Sequence, residues 1–342
     1  MNRKKVVGFG EIMLRLSPLG YMRLIQAEGF TANYTGAEAN SCVSLSMMGF
    51  NSEFVTKVPD NEIGQCAAAT MQKYGVGIGN IVLGGERLGL YYSEKGAAQR
   101  PSKVIYDRKY SAISQAKRDE FDWDRILDGA DAFLFTGITA ALGEELPGIC
   151  MDACQTARKK NITVFCDLNY RNKLWTTEQA FKVMDGLMPY VNVLMGNEED
   201  SEKVLGIKSD MSDVTHGRLC RESYSEVAEK IVSRYGTDTV AFTLRTSISA
   251  SDNKWAAMLY KNGSTSFSRE YDMHIVDRMG GGDSFGAGLI YGLLSGMSDR
   301  EALEFAAAAS CLKHSIEQDF NLSTADEIKA LMNGDSSGRI QR

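Results

Sequence analysis

The stretch Asp277–Gly288, which reads DRMGGGDSFGAG, decides how the rest of the sequence is interpreted. Three consecutive glycines lead into an aspartate and then into an apolar, helix-like run from Phe285 to Leu294. Glycines at a helix N-terminus leave backbone N–H groups free to bind an anion, and the helix dipole adds positive potential. The stretch therefore predicts an anion-binding loop at the start of a helix.

Asp283 distinguishes this loop from the Walker A loop, in which a lysine follows the glycines. A carboxylate repels a phosphate bound at the same place. That cost is explained if the carboxylate takes a proton from a hydroxyl as the hydroxyl attacks a phosphoryl group. The alternative is that Asp283 only caps the helix, because aspartate is a favoured N-cap residue. The stretch alone leaves both interpretations open.

The composition of the 342-residue sequence indicates a globular protein, with 44% hydrophobic and 24% charged residues. A chain of this length can bury a sizeable core. The formal net charge of −6 argues against nucleic-acid binding, which needs a basic surface. Seven cysteines without a CxxC pair argue against a disulfide framework and against a zinc site.

The N-terminal segment is not typical of a targeting signal. Glu11 and Arg15 interrupt the first apolar stretch too soon for a signal peptide. No apolar run approaches the length of a membrane span. The sequence therefore predicts a cytoplasmic protein without membrane contact.

Strand-like and helix-like segments alternate along most of the chain, which predicts a parallel sheet with right-handed crossovers. Two tyrosine-rich segments, Arg87–Ser93 and Lys103–Tyr110, interrupt the alternation and are typical of a hairpin exposed on one face. Together with Met13–Tyr34 they predict a small projecting sheet. Near the C-terminus, Lys261-Asn262-Gly263 predicts a type I′ hairpin turn.

We expect a single domain over residues 1–335, with lid segments inserted at about 12–35 and 87–111. Residues 336–342 are polar and predict a disordered tail. The polar segment Lys208–Arg221 is expected to be a surface loop.

Several polar motifs follow predicted strands, and ligands of doubly wound sheets bind beyond the carboxyl ends of the strands. These motifs are Gly8–Glu11, Gly36–Asn40, Asp167–Arg171, Asn197–Asp200, Arg245 and Gly280–Asp283. Gly8 and Gly10 alone are also compatible with a nicotinamide-dependent oxidoreductase. The third glycine of that fingerprint is absent, as is its acidic partner about 20 residues further on, which weighs against this alternative.

The order of these motifs resembles that of the ribokinase-like (PfkB) sugar kinases, from roughly Val6 to Met332. Within that family the sequence is most similar to the 2-keto-3-deoxygluconate kinases. The residues behind this resemblance are Gly36–Asn40 (GAEAN), Phe133–Ala140 (FLFTGITA), Asp167–Trp175 (DLNYRNKLW) and Leu312–Leu322 (LKHSIEQDFNL). The resemblance implies an α/β fold: a three-layer α/β/α domain with a small β-sheet lid. It also implies the use of ATP and Mg²⁺ and a homodimer joined through the lids.

The resemblance also implies roles for the residues of the glycine loop in Asp277–Gly288. Asp283 matches the catalytic base, and Gly280, Gly281 and Gly282 match an anion hole that stabilises the transferred phosphoryl group. The family usually has alanine at the position of Gly281, and this departure is expected to loosen the loop. Asp277 matches a position tied to a monovalent cation, such as K⁺, in some members.

For the nucleotide and its metal ion, the resemblance points to three further places. Asn197 and Asp200 match a segment that organises Mg²⁺ and phosphate through water, with Asp200 replacing a longer glutamate. The family's lysine and Gly-x-x-Gly turn are missing after Leu244, so Arg245 and hydroxyls such as that of Ser249 are expected to replace those contacts. Ser310 ends an alanine-rich run that either lies near the adenine ring or forms a tight helix contact.

For the sugar, the resemblance implies that Gly36 and Asn40 hold hydroxyl groups. Arginine offers a planar fork that binds a carboxylate in a bidentate manner, which suits a sugar acid. The aromatic and cationic candidates are Tyr91, Tyr106, Arg108 and Arg171. The alternatives are that Arg108 is a solvated surface charge and that the tyrosines only pack.

Two further polar residues are expected to be structural. Glu38 is expected to cap the first turn of its helix, where carboxylates are favoured. His314 is expected to be packed or solvated rather than catalytic.

The predicted function is transfer of the γ-phosphoryl group of ATP to the terminal hydroxyl of 2-keto-3-deoxygluconate, with Mg²⁺. Fructose, 5-keto-2-deoxygluconate and ribosyl compounds remain alternative substrates. A sugar-sensing protein without catalysis and the oxidoreductase remain alternatives of other classes.

Overall fold

Strands and helices alternate along the chain in the structure, a computed structural model that describes residues 3–210 and 221–335. The strands are β1 (Lys5–Phe9), β2 (Met13–Ser17), β3 (Thr31–Thr35), β4 (Asn51–Val58), β5 (Ile81–Leu83), β6 (Gly89–Glu94), β7 (Lys103–Asp107), β8 (Ala132–Thr136), β9 (Thr163–Asp167), β10 (Val193–Gly196), β11 (Thr239–Ser247), β12 (Asp252–Lys261), β13 (Ser264–Phe267) and β14 (Tyr271–His274).

The α-helices are α1 (Ala37–Met47), α2 (Glu62–Lys73), α3 (Trp123–Ile126), α4 (Gly137–Ala140), α5 (Leu146–Lys159), α6 (Thr177–Leu187), α7 (Glu198–Leu205), α8 (Arg221–Tyr235), α9 (Gly281–Leu294), α10 (Asp299–Lys313) and α11 (Ala325–Met332). Most of the predicted loop Lys208–Arg221 and all of the predicted tail at 336–342 lie outside the described residues.

The main sheet runs in the order β13-β12-β11-β10-β9-β8-β1-β4-β5, with β14 paired to β12. The strands from β11 to β5 are parallel, and β12 pairs antiparallel with β11, β13 and β14. Strand β8 (AFLFT) is buried at every position, as expected for a strand covered on both faces. The predicted α/β fold is confirmed.

Two hydrophobic cores lie on opposite faces of this sheet because side chains alternate along each strand. In β8, Phe133 and Phe135 pack into one core, together with residues of α5, α6 and α8. Ala132 and Leu134 pack into the other core, with residues of α1, α9 and α10. The molecule therefore has the predicted three layers.

A second sheet is formed by β3, β2, β6 and β7, in that order. The central pair β2–β6 is parallel, and the two outer pairs are antiparallel. All four strands come from the two chain segments in which the sequence predicts a lid. This small sheet stands apart from the main sheet.

The β12–β13 hairpin contains the predicted type I′ turn, because Asn262 and Gly263 both have positive φ, 51° and 74°. Strand β14 was not predicted. After β13 the chain turns near Ser268, whose hydroxyl accepts from the backbone N–H of Ala257 at 2.9 Å, and then returns beside β12. Such a short strand depends on a distant partner rather than on its own sequence.

Helix α9 begins at Gly281, ahead of the helix-like run Phe285–Leu294 that the sequence indicates, and packs closely on α10. A Cβ added at Gly288 would come within 2.8 Å of the Cα of Ala306, and one at Gly292 within 2.7 Å of the Cα of Ala302. The two backbones therefore approach so closely that only glycine fits at these positions of α9.

No helix in the parts of the chain that the structure describes combines the length and the apolar character needed to cross a membrane.

The close approach of α9 and α10 predicts that Gly292→Ala destabilises the protein, although alanine favours helices. The added methyl group has to push two helix backbones apart, at an expected cost of about 1–3 kcal/mol. Chemical denaturation followed by circular dichroism measures the change. The matched control is Gly186→Ala in α6, where the nearest atom to the new Cβ is the flexible end of Met151 at 3.8 Å. That control is expected to stabilise by about 0.5–1 kcal/mol, and equal effects of the two variants would contradict the packing argument.

Candidate active site

A cavity of about 460 Å³ opens between the carboxyl ends of the main-sheet strands and the small sheet. This volume is typical of a small-molecule site. The predicted site residues that line it are Gly36, Asn40, Tyr91, Tyr106, Arg108, Arg171, Asn197, Asp200, Arg245, Gly280, Gly281, Gly282 and Asp283. Three predicted residues do not line it: Ser249, Asp277 and Ser310.

Asp283 lies in the first turn of α9 and faces the start of α1. Its carboxylate accepts a hydrogen bond from Nδ2 of Asn40 at 2.7 Å, and its carbonyl oxygen accepts one from the hydroxyl of Ser41 at 3.1 Å. Gly280 occupies the N-cap position of α9. The alternative in which Asp283 caps the helix is therefore wrong, and its carboxylate is held at the cavity by a second helix.

The surroundings of Asp283 favour its protonated form more than water does. Burial raises the pKa of this carboxyl to about 7, with the charges of Glu38 and Asp319 adding to the effect. The hydrogen bond from Asn40 and the charge of Arg171 act in the opposite direction. A carboxyl with a pKa near neutrality can accept a proton during catalysis at physiological pH.

Two of the three glycines before Asp283 are explained by the close approach of other backbone and side-chain atoms. Gly280 has a φ of +79°, and a Cβ there would lie 1.9 Å from the carbonyl oxygen of Asp319. A Cβ at Gly281 would lie 2.4 Å from Cε1 of His314, whereas one at Gly282 would meet nothing within 4 Å. The hydroxyl of Ser310 donates to the carbonyl oxygen of Gly281 at 2.7 Å.

These contacts correct two expectations. Gly281 does not leave an empty space in the loop, because the buried ring of His314 occupies the place of a methyl group. Burial lowers the pKa of His314 to about 4, so this packed ring is neutral. Ser310 does not line the cavity, and its hydroxyl instead holds the carbonyl group of Gly281 in the loop.

Three carboxyl groups at the cavity repel one another. Burial and the neighbouring charge of Asp283 raise the pKa of Asp167 to about 6, and burial with the charge of Asp167 raises that of Asp200 to about 7. The Nδ2 group of Asn197 donates to Asp200 at 3.0 Å, while its Oδ1 accepts from the Asp200 backbone at 2.8 Å. Asn197 therefore fixes Asp200 at the start of α7.

Carboxylate and amide oxygens are suitable ligands for Mg²⁺, which usually keeps several water ligands and binds through substrate phosphates. Within residues 3–210 and 221–335, no three acidic, histidine or cysteine side chains converge as a complete metal site. The donor set at Asn197 and Asp200 fits a Mg²⁺ ion that is held largely through water and phosphate oxygens.

Arg108 is buried beneath the small sheet and is not a solvated surface charge. Its Nη2 atom donates to the carboxylate of Glu11, which also accepts from the hydroxyl of Ser111 at 2.6 Å. Its guanidinium lies 5.4 Å from the ring centre of Tyr106. The charge of Arg108 is thus largely compensated by Glu11.

Arg171, in contrast, is exposed at the cavity and donates to the carbonyl oxygen of Tyr170 at 3.0 Å. Its positive charge opposes the rise in the pKa of Asp167, Asp200 and Asp283. Of the two arginines predicted for the sugar, Arg171 is the one that is free to meet an anionic group of a ligand.

A second cationic region lies beside the glycine loop, where Arg245 and Arg278 both line the cavity. Burial and the positive charge of Arg245 lower the pKa of Arg278, so the two guanidinium groups are close enough to repel each other. Such a pair favours a polyanion. Arg278 was not predicted as a site residue, although it lies within the stretch Asp277–Gly288.

Ser249 is not part of this region. Its hydroxyl donates to the carboxylate of Asp252 at 3.1 Å and accepts from the backbone of the same turn. The prediction that Ser249 contacts a nucleotide does not fit this geometry, because the side chain is used to close its own loop.

Asp277 lies behind the loop, in a buried cluster of charges. Arg15, from the small sheet, donates to Asp277 at 2.8 Å and to Asp319 at 2.6 Å. The hydroxyl of Tyr91 donates to the other carboxylate oxygen of Asp319 at 2.8 Å. Lys313 donates to the carbonyl oxygen of Asp277 at 3.2 Å. The prediction that Asp277 binds a monovalent cation does not fit, because both kinds of oxygen already accept from protein cations.

The glycines near the N-terminus are also explained by packing. A Cβ at Gly10 would lie 2.0 Å from Oε2 of Glu38, and one at Gly8 would lie 2.6 Å from Sγ of Cys42. A Cβ at Gly36 would lie 1.9 Å from the carbonyl oxygen of Glu11. These glycines let α1 approach β1, so the pair at Gly8 and Gly10 needs no dinucleotide to account for it.

The sequence predicts that Glu38 caps the first turn of its own helix, but its carboxylate binds other parts of the chain instead. Its carboxylate accepts from the backbone N–H of Thr136 at 2.9 Å and from the hydroxyl of Thr139 at 2.6 Å. Burial raises its pKa. The side chain thus ties α1 to the end of β8.

Comparison with known proteins places this site in a family. In sequence, the chain is 31% identical to the 2-dehydro-3-deoxygalactonokinase of Haloferax volcanii, over 98% of each chain. It is 26% identical to the 2-dehydro-3-deoxygluconokinase of Thermoproteus tenax, over 90% of this chain and 87% of that one.

In structure, the chain is similar to the 2-dehydro-3-deoxygluconokinase of Thermotoga maritima, with a TM-score of 0.94 and 52% identity. That match covers 97% of this chain and 99% of the other. The model of the pfkB family carbohydrate kinases matches residues 3–318. Fold, glycine loop and sequence agree, and the chain belongs to the pfkB family of carbohydrate kinases.

Proposed function

We propose that this protein transfers the γ-phosphoryl group of ATP to the terminal hydroxyl of 2-keto-3-deoxygluconate. The observation that carries this proposal is Asp283 in the first turn of α9, with a pKa raised to about 7 and its carboxylate facing the cavity. The Thermotoga and Haloferax relatives are named as kinases of 2-dehydro-3-deoxy sugar acids, which supports the substrate class.

In this mechanism the substrate hydroxyl gives its proton to the Asp283 carboxylate while its oxygen attacks the γ-phosphorus. A bond forms between that oxygen and the phosphorus, the bond to the β–γ bridging oxygen breaks, and ADP leaves. The N–H groups at the start of α9 have no partners within the helix and face the charge that develops on the phosphoryl oxygens.

Asn40 orients the base throughout this step. Its Nδ2 donates to Asp283, and its Oδ1 accepts from the hydroxyl of Thr35 at 2.7 Å. The hydrogen bond keeps the carboxylate oxygen in place and lowers the pKa of Asp283, so that more of the group is ionised at neutral pH.

For the sugar, Arg171 supplies the fork that binds a carboxylate, because Arg108 is engaged by Glu11. Tyr91 and Tyr106 lie with ring centres 5.8 Å apart on the small sheet and also line the cavity. A neutral sugar would not need the charge of Arg171.

For the nucleotide, Arg245 and Arg278 suit the negative charge of the phosphates. Mg²⁺ bound near Asn197 and Asp200 would screen the phosphate charge, as in other phosphoryl-transfer enzymes. An intact Asp283 with an adjacent anion-binding loop also argues against a sensor without catalysis.

The C4 epimer, 2-keto-3-deoxygalactonate, is the second candidate substrate, because the Haloferax relative is named for it. The two sugar acids share the carboxylate that Arg171 would bind. A turnover comparison of the two epimers, with fructose and 5-keto-2-deoxygluconate alongside, decides among the alternatives.

Asp283→Asn is expected to lower kcat by about 10²–10⁴-fold, because the amide cannot accept the proton but keeps the size of the side chain. ATP-to-ADP turnover with 2-keto-3-deoxygluconate measures the change. The wild-type rate should also fall tenfold per pH unit below about pH 7, since the raised pKa leaves Asp283 protonated there, and the variant should lack this limb.

The matched control is Asp299→Asn, another first-turn carboxylate, which bonds to Lys261 away from the cavity. Its turnover should equal that of the wild type. Full activity of Asp283→Asn, with unchanged pH dependence, would contradict the assignment of the base.

Arg171→Ala is expected to raise KM for the sugar acid about 10–100-fold, the loss of one charged hydrogen-bonding group. Any turnover of neutral ketoses should not change. Measurements at alkaline pH keep Asp283 ionised, so that the lost charge does not act through the base. Arg125→Ala, an exposed arginine outside the cavity, is the control. An unchanged KM for the acid would remove Arg171 from the carboxylate site.

We also propose that the protein forms a homodimer through the small sheet. Support comes from large apolar side chains exposed on this sheet and on the loop between β2 and β3: Leu19, Ile25, Phe30 and Ile105, with Ile25 94% exposed. Sedimentation velocity should show a dimer for the wild type and a smaller species for Ile25→Asp. A monomeric wild type at all concentrations would refute this.

A further inference from the structure

Lys313, the last residue of α10, places an ammonium group directly beneath the glycine loop. Its side chain is fully buried, and Nζ donates to the carbonyl oxygens of Asp277 and Ile316, at 3.2 Å each. Its Cε atom lies 3.3 Å from the position that a Cβ at Gly280 would occupy. A cation coordinated by backbone carbonyl oxygens thus lies in contact with the loop that precedes Asp283.

The charges around Lys313 are already balanced. Two buried carboxylates, Asp277 and Asp319, face two buried cations, Arg15 and Lys313. A further cation, Lys95, lies 3.8 Å from Asp277 and is compensated by its ion pair with Glu317. The second oxygen of Asp277 accepts from the backbone N–H of Met279 at 3.2 Å. A buried charge is stable only when it is paired and hydrogen-bonded, and this cluster meets that condition without a further ion.

A monovalent metal ion does not fit this place. Such an ion needs several free oxygen ligands around one point, whereas the carbonyl oxygen of Asp277 accepts from Lys313 and its carboxylate accepts from Arg15. An additional positive charge would also lie next to the ammonium group, where the interaction is repulsive.

We infer that the ammonium group of Lys313 takes the place of a bound monovalent cation in this protein, so that phosphoryl transfer proceeds without K⁺. Lys313 is a positioning residue. It fixes the carbonyl groups of Asp277 and Ile316, and through Gly280 it fixes the N–H groups that face the transferred phosphoryl group. For its activity readout this inference rests on the proposed function.

The test is the cation dependence of turnover in the wild type and in Lys313→Ala, with KCl replaced by tetramethylammonium chloride at constant ionic strength. The wild-type rate should not change along the KCl series. The variant should lose activity about 100-fold without K⁺, because a misplaced anion hole has an effect of this order. It should regain activity in a saturable manner as KCl is added, because the truncated side chain leaves room for the ion.

Two further variants separate charge from packing. Lys313→Met removes the charge but fills the space, and should remain inactive at all KCl concentrations. Lys57→Ala removes another buried lysine, which pairs with Glu120 away from the cavity, and should lose stability without gaining any response to K⁺.

Several outcomes would overturn the inference: K⁺ activation of the wild type, full activity of Lys313→Ala without K⁺, or a folded Lys313→Ala that K⁺ does not restore. If Lys313→Ala does not fold, the wild-type series alone decides, with a flat response in support and activation against.

Thermal unfolding provides a readout that needs no sugar. KCl, compared with tetramethylammonium chloride, should raise the Tm of Lys313→Ala and leave that of the wild type unchanged, because an ion that binds only the folded state stabilises it. If no sugar is turned over, the proposed function fails, whereas this experiment still tests the role of Lys313.

Discussion

The guanidinium group of Arg15 is the contact on which the arrangement of the site depends. It comes from the small sheet, is almost completely buried, and bonds to Asp277 and Asp319 on either side of the glycine loop in the sequence. Loss of one partner of a buried ion pair costs about 3–5 kcal/mol, because the other charge is left without compensation. This cluster therefore holds the small sheet, the loop and the chain after α10 in one fixed relation.

The electrostatic potential at the cavity depends on the side chains that this arrangement brings together. The protein has a net charge of −6, yet its proposed substrates are both anionic. The acidic groups at the cavity are partly neutralised by their raised pKa values, while Arg171 and the pair Arg245 and Arg278 provide local positive potential. Specific arginines, rather than the overall field of the molecule, thus make an acidic protein receptive to anions.

The sequence was sufficient to predict the fold class, and most of the site residues predicted from it line the cavity, because alternating elements and a glycine loop are local patterns. The start of α9 was misplaced because glycine is a poor helix former, while in the structure the first turn is held by Ser310 and by the contact with α1. Asp277 was assigned to a metal ion by resemblance to the family, and its protein partners could not be foreseen because they are distant in the chain. Arg15 lies 262 residues away, and nothing in the local sequence indicates that they meet.

Arg278 could not be assigned to the site from the sequence for a different reason. It lies inside the stretch Asp277–Gly288, but a single arginine in a loop is compatible with any orientation. Only the fold brings it beside Arg245 and makes the pair recognisable as an anion site. Glu38 is similar, since its position in a first turn predicts a cap, whereas the tertiary structure offers it the buried donors of Thr136 and Thr139.

The contact between Gly281 and His314 has a consequence for the evolution of this loop. Because the imidazole ring occupies the space of a methyl group, alanine at 281 requires either a shift of the His314 ring or a smaller side chain at position 314. The two positions lie in contact, so their substitutions are not independent. Exchange of glycine for alanine at 281 is therefore coupled to a rearrangement or a replacement of the histidine at 314.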